Sequence, residues 1–182
     1  MNRTSGTRRA LLRAIGAPAA ACACAAATIA GARTARADAP SAPRVVDWPP
    51  IRLLDGTTIE PAAWRDTAAV VVVWATWCPF CRRHNPHVEK LHRSLAGRPL
   101  RVIGASIDRD PELVRRYVRE HGYTFPMTMD AAPLRQRLGL RTGIPLTAVV
   151  DRAGRLVEQI PGEMFEEDVL ELAKHAAPPG RS

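Results

Sequence analysis

The sequence predicts an α/β domain, a mostly parallel sheet covered by helices on both faces with an antiparallel hairpin at one edge. Three observations carry this. "AAVVVVWA" (68–75) is a continuous β-branched run, the mark of a strand buried on both sides. Strand-like runs then alternate with stretches of helical spacing, as parallel strands joined by helices require. Near the end, "PLTAVVD" and "GRLVEQI" are separated only by "RAG", a hairpin pattern.

The elements follow in order. Asp55-Gly56 lies between the apolar runs of "IRLLDGTTIE", a hairpin signal. After the 68–75 strand, Cys78-Pro79 opens a helix, with Pro79 suited to the first helical position. Val88, Leu91 and Leu95 continue it at helical spacing and Gly97 ends it. "LRVIGASID" (100–108) is the next strand. Asp110 caps a helix starting at Pro111, with Leu113, Tyr117 and Val118 toward the core and Gly122 as its stop. "TFPMTMD" reads as a short extended piece and "APLRQRLG" as a short helix. "EMFEEDVLELAKHA" closes the chain as an amphipathic helix, with Phe165, Val169 and Leu172 on one face. There is no repeat and no internal linker, so one domain is expected.

Most of the net charge of +8 belongs to the N-terminus. Residues 1–37 hold six arginines (Arg3, Arg8, Arg9, Arg13, Arg33, Arg36) and no acid, which leaves 20 Lys+Arg against all 18 Asp+Glu elsewhere. A remainder so near neutrality argues against nucleic acid as a partner. Within 1–37, an uncharged stretch (14–32) follows the basic start and leads to Ala35-Arg36-Ala37, a small-x-small cleavage pattern. This reads as a signal peptide for export to the periplasm. "TRRALLR" (7–13) resembles the twin-arginine export signature, and the alanine-rich stretch suits a membrane anchor less well. The remaining divisions are an extended, proline-rich lead-in at 38–47, a folded domain at 48–177 and a flexible tail at 178–182. Only Cys78 and Cys81 stay with the folded domain.

These two sit in "WATWCPFCRRHNP" (74–86). Their i, i+3 spacing at a helix start brings them within bonding reach on one face. A disulfide closing so short a loop constrains the unfolded chain very little, so it is a poor staple. As a redox couple it is well placed, because unpaired N–H groups at the helix mouth favour a thiolate at Cys78. Cys78 would then attack a partner's disulfide from near the surface, and Cys81 would resolve the mixed disulfide. Arg82, Arg83 and His84 add positive charge nearby. A structural zinc site would need four ligands, with His84 and His87 as the nearby candidates. Haem attachment needs histidine directly after the second cysteine, where Arg82 stands. Trp77 and Phe80 could form a hydrophobic lip for a client or pack on a neighbouring helix, and Trp74 belongs to the strand core. His92, His121 and His175 read as solvated helix residues.

"WATWCPFC", with Pro86 five residues beyond Cys81, resembles the active-site helix of the thioredoxin superfamily, and "TGIPLTAVVD" resembles its second signature. The extra helix and extended piece between the 100–108 strand and Pro133 resemble the insertion of the TlpA/ResA-type extracytoplasmic branch. The likeness runs from about Trp48 to Ala176. It implies a thioredoxin-like fold with an N-terminal hairpin and a central helix–strand insertion, and thiol:disulfide oxidoreductase activity on protein clients. It makes Ile144-Pro145 a cis-proline peptide for strand-like docking of the substrate and places Trp77 beside the disulfide; Pro79 and Phe80 are the further substrate-binding candidates next to it. The cysteine pair carries the electrons, so neither a metal nor a small-molecule cofactor is implied; a membrane electron donor is, if the protein is a reductase.

Two positions depart from the family. Thioredoxins carry a buried acid six residues before the first cysteine, where this chain has Val72. Cytochrome-maturation members carry glutamate three residues after the second cysteine, where this chain has His84. A direct carry-over of the cytochrome c role is therefore in doubt. His84 is expected instead to tune the cysteine pair as a cation titrating near neutrality. The potential is expected to fall between about −270 mV, as in thioredoxin, and about −120 mV, as in DsbA. A different class of function, a copper-binding chaperone, would use the same cysteines with His84 or His87. A thiol peroxidase is disfavoured, since no threonine-rich motif precedes Cys78.

Overall fold

The computed structural model describes residues 45–177. The expectations for the signal peptide, the start of the lead-in and the 178–182 tail lie outside those residues. Strands β1 (Ile51–Arg52) and β2 (Thr58–Ile59) form the expected small antiparallel hairpin, and a short 3-10 turn follows at Pro61–Trp64. The main sheet holds β3 (Ala68–Trp74), β4 (Leu100–Ser106), β5 (Met127–Thr128), β6 (Leu146–Val150) and β7 (Leu156–Pro161), in the order β5-β4-β3-β6-β7. β3 pairs in parallel with β4 and β4 with β5, whereas β3–β6 and β6–β7 are antiparallel. Helices α1 (Pro79–Ser94), α2 (Pro111–His121), α3 (Ala131–Leu138) and α4 (Glu166–Glu171) connect or cover these strands.

β3 is central, and all seven of its residues are buried. Side chains alternate across a strand. Ala68, Val70, Val72 and Trp74 accordingly join one core with Val88 and Leu91 of α1, Val114 of α2 and Val169 of α4. Ala69, Val71 and Val73 join a second core with Trp48, Ile51, Trp64 and Leu134 and Leu138 of α3. A strand buried on both faces has no position for a polar residue, which is why it reads as an unbroken apolar run. On β4, the space a side chain would need at Gly104 is taken by Met127, Phe125 and Trp74, so only glycine fits there.

Several expectations need correction. Phe165 is not on the buried face of the last helix. It is the extended N-cap residue, 79% exposed, because α4 begins only at Glu166; Met164, Val169 and Leu172 are buried instead. That final segment is also divided, α4 giving way to a 3-10 turn at Leu172–Ala176. On α2 the fully buried residue is Val114, while Leu113 is only half-buried, because the helix meets the sheet one residue further round than the spacing suggested. Contact with the domain starts before Trp48: Val45 bridges Arg155, and the Val46 N–H donates to the Gly154 carbonyl at 2.7 Å. Of the other histidines His121 is exposed, as expected, whereas His92 and His175 are half-buried. His175 lies near Glu158 at 3.3 Å, His121 stacks on Tyr117 with centroids 3.8 Å apart, and burial lowers the pKa of His92.

Candidate active site

β3 delivers the chain to the edge of the sheet, where Ala75–Trp77 turn into α1. Asp108, just beyond β4, holds that turn. Its carboxylate accepts the Thr76 N–H (2.9 Å), the Thr76 hydroxyl (2.8 Å) and the Ser106 hydroxyl (2.7 Å). Cys78 is the N-cap of α1 and Pro79 takes the first turn, where a missing N–H costs nothing. Cys78 and Cys81 form a disulfide with their Cα atoms 5.2 Å apart. The Cys81 N–H points at Cys78 Sγ (3.2 Å), so an orphan donor of the first helical turn already faces this sulfur.

Cys78 is less open than expected. It is only 3% exposed, and Cys81 is fully enclosed. The cover over Cys78 includes the loop before β6, where the Ile144-Pro145 peptide is cis, as the resemblance implied. The Ile144 carbonyl oxygen lies 4.0 Å from Cys78 Sγ, while the Pro145 carbonyl is taken by the Gly162 N–H (2.8 Å). The first signature and the second thus meet at one sulfur. Around this point Trp77 (67% exposed) and Phe80 (53%) stand out from the surface, with Pro79 exposed between them, and Trp74 is buried below. Val72 is likewise enclosed, so no acid lies at that position beneath the disulfide.

His84 overturns its expected role. It is completely buried, facing β6 and the loop after β7. Its Nδ1 accepts the Met164 N–H at 3.3 Å. Nε2 must then carry the proton in the neutral ring, and it donates to Thr147 Oγ1 at 3.2 Å. Burial, reinforced by the nearby His87, pushes the imidazole pKa down to about 4. His84 is therefore neutral at physiological pH, a crossbar between α1, β6 and the β7–α4 loop rather than a cation beside the cysteines. Its position on the stripe His84, Val88, Leu91, Leu95 was the available signal, since the latter three were already assigned to the core. Arg83 contributes little free charge as well, because its guanidinium pairs with Glu163 at 2.6–2.9 Å while lying 5.0 Å over the Phe80 ring. Of the three expected cations only Arg82 remains exposed without such a partner among the described contacts.

Both His84 nitrogens are engaged, His87 Nδ1 lies 3.3 Å from Glu166, and no group of three His, Cys, Asp or Glu among the described residues is arranged to hold an ion.

Comparison with known proteins follows the same line. Residues 38–174 match the Redoxin family. The thiol-disulfide oxidoreductase ResA of Halalkalibacterium halodurans is 31% identical over 129 residues, covering 68% of this chain and 72% of that protein. ResA of Bacillus thuringiensis is 26% identical over 128 residues, covering 69% and 72%. Among solved structures, a thiol:disulfide interchange protein of the thioredoxin family from Chlorobium tepidum TLS superposes with a TM-score of 0.68 at 26% identity, over 76% of this chain and 99% of that one. StoA from Bacillus subtilis, at 18% identity and a TM-score of 0.60, covers 73% of this chain and 98% of its own, and shares the fold. A family match across nearly the whole described domain, ResA relatives, and a disulfide at a helix mouth under a cis-proline loop converge: this chain belongs to the Redoxin family, as a thioredoxin-superfamily protein of the ResA/TlpA type.

Proposed function

We propose that the protein is a periplasmic thiol–disulfide oxidoreductase acting on protein clients, with Cys78 as the attacking thiol and Cys81 as the resolving one. The observation that carries this assignment is the environment of Cys78 Sγ. It is the outer sulfur of the pair, it receives a helix N–H, and it faces the carbonyl of Ile144. In the reducing direction, the Cys78 thiolate attacks a client disulfide, forming the mixed disulfide and releasing one client thiolate. Cys81 then attacks Cys78 Sγ, the mixed disulfide breaks, and the second client thiol leaves with the Cys78–Cys81 bond formed. Two electrons pass to the client. The reverse sequence oxidises a client dithiol. Ile144-Pro145 serves as the docking peptide, with Trp77, Pro79 and Phe80 as the exposed apolar surround. The electrons reside in the cysteine pair, and a membrane donor would restore the dithiol if the protein works as a reductase.

The periplasmic location rests on the basic and then uncharged N-terminal segment with its small-x-small end, read as an export signal of twin-arginine type. Among the described residues no helix is long and apolar enough to cross a membrane. The copper-chaperone reading loses His84 to its two hydrogen bonds and keeps only His87 as a nearby nitrogen ligand.

Serine variants test the roles directly. Cys78→Ser should abolish reduction of a protein disulfide, and Cys81→Ser should accumulate client-linked mixed disulfides through Cys78, visible on non-reducing gels. Faster alkylation of Cys81 than of Cys78 in the reduced protein would reverse the assignment. Copper retained stoichiometrically by reduced, anaerobically purified protein would favour the chaperone.

A further inference from the structure

The loop that presents Ile144 does not hold itself. It leaves α3 at Gly139 and reaches the cis peptide through Leu140–Gly143, with Gly143 at a φ of 104° that favours glycine. Two side chains brace it from outside. Arg135, on the last turn of α3, donates through Nη1 to the Arg141 carbonyl (2.6 Å) and through Nη2 to the Gly143 carbonyl (2.8 Å). Gln159 of β7 takes the Arg141 N–H on its Oε1 (3.2 Å) and donates from Nε2 to the Gly139 carbonyl (3.3 Å). Beyond the cis peptide, the Pro145 carbonyl is bound by the Gly162 N–H. The backbone on either side of Ile144 is therefore tied down, while the Ile144 carbonyl is left facing Cys78 Sγ.

We propose that Arg135 is a positioning residue for client recognition: its guanidinium fork on the Arg141 and Gly143 carbonyls sets where Ile144 offers its backbone to a client strand. The inference rests on the reading of Ile144-Pro145 as the docking peptide. A guanidinium suits this task because its N–H groups are fixed in a plane and can span two carbonyls of one loop, which a lysine ammonium on a flexible stem cannot hold at once. Strand-like docking depends on the placement of main-chain donors and acceptors, so a loosened loop weakens pairing without touching the sulfur chemistry. Arg135 touches neither cysteine in the described contacts, and its partners are backbone atoms alone.

The test uses the full chain with Arg135→Met and Arg135→Lys, and two disulfide substrates. One is a peptide disulfide long enough to pair with Ile144; the other is hydroxyethyl disulfide, which has no peptide backbone. Arg135→Met should raise KM for the peptide about tenfold with kcat little changed, the loss expected for one charge-assisted fork. Arg135→Lys should fall between Arg135→Met and the parent. The rate with hydroxyethyl disulfide and the reduction potential should not move in either variant. A KM for the peptide that stays at the parent value, or a loss shared equally by both substrates, overturns the positioning role. A third substrate separates this failure from that of the docking reading: the same peptide N-methylated beside its cysteine. If N-methylation leaves KM unchanged in the parent protein, backbone docking itself is wrong. If it raises KM in the parent while Arg135→Met does not, only the role of Arg135 falls.

Discussion

His84 and Glu89 lie on the same helix and both are buried, yet folding treats their charges in opposite ways. Glu89 faces the segment between α2 and β5. Burial alone would raise its pKa, but its carboxylate collects the Thr124 hydroxyl (2.6 Å), the Thr124 N–H (2.7 Å), the Phe125 N–H (3.2 Å) and the Arg93 guanidinium (2.6 Å), and these together hold it below the usual value. His84 faces β6 and the β7–α4 loop, where it meets one hydroxyl and one backbone N–H. Glu163 nearby pulls toward a positive ring, but burial and the neighbouring His87 outweigh it, and the imidazole stays neutral. Burial does not by itself decide whether a group is charged. The number and sign of the partners it meets there do.

The largest effect that would break this contrast is at Glu89. Glu89→Ala strips three donors on Thr124 and Phe125 of their acceptor in one step, and stability should fall by about 3 kcal/mol, read as a shift in the urea midpoint. A loss under about 1 kcal/mol would mean that solvent replaces the carboxylate, so that Glu89 is not the pin it looks to be.

Acid titration comes next. The folded His84 value of about 4 lies below the ordinary 6.5, so as pH falls the unfolded chain takes up the proton first. The stability tied to a neutral His84 is therefore complete above about 6.5 and is lost as pH drops through about 4, by about 3 kcal/mol at most. Glu89, also depressed, loses its contribution in a separate, more acid window below its ordinary 4.5. His84→Gln keeps an acceptor for Met164 and a donor for Thr147 but cannot titrate, so it should flatten the slope between pH 4 and 6.5 and leave the more acid limb intact. An unchanged slope would show that some other group carries it.

The smallest effect is a null result with consequences. A neutral crossbar has no charge to lend to the cysteines, so His84→Gln should leave the reduction potential at pH 7 within about 30 mV of the parent. A larger shift, measured against a glutathione buffer, would restore His84 as a tuning residue.

What could be read in the chain and what could not divides along the reach of the interactions. β3 was legible because burial on both faces leaves only apolar residues, and the start of α1 because Cys78 and Pro79 are local helix-entry chemistry. The meeting of Ile144 with Cys78 came through the resemblance to a second signature, not through spacing. Phe165 differs because the apolar helical spacing continues one residue ahead of Glu166, where the helix begins. The Asp108 hold on Thr76, 32 residues away, and the Arg135 fork on the Arg141 and Gly143 carbonyls left no trace in any pattern, since both are side-chain hydrogen bonds to irregular segments that hydrophobic spacing does not announce. His84 was misjudged for another reason. The acid that relatives carry at its position points to a charge, whereas its place on an apolar helical stripe points to a buried ring with none.

Phe80 is the feature with the widest reach beyond the site. Its ring projects into solvent, yet Arg83 lies over it and is in turn clamped by Glu163 on the loop that also supplies the Met164 N–H to His84. An exposed aromatic would ordinarily sample several rotamers and surrender that freedom when something settles on it, at a cost of about 0.5–1.5 kcal/mol for an immobilised side chain. Here much of that ordering is done when the chain folds. An apolar group arriving at the disulfide meets a ring already held in place, so less of the contact energy is spent on ordering it than the exposure of Phe80 alone would suggest.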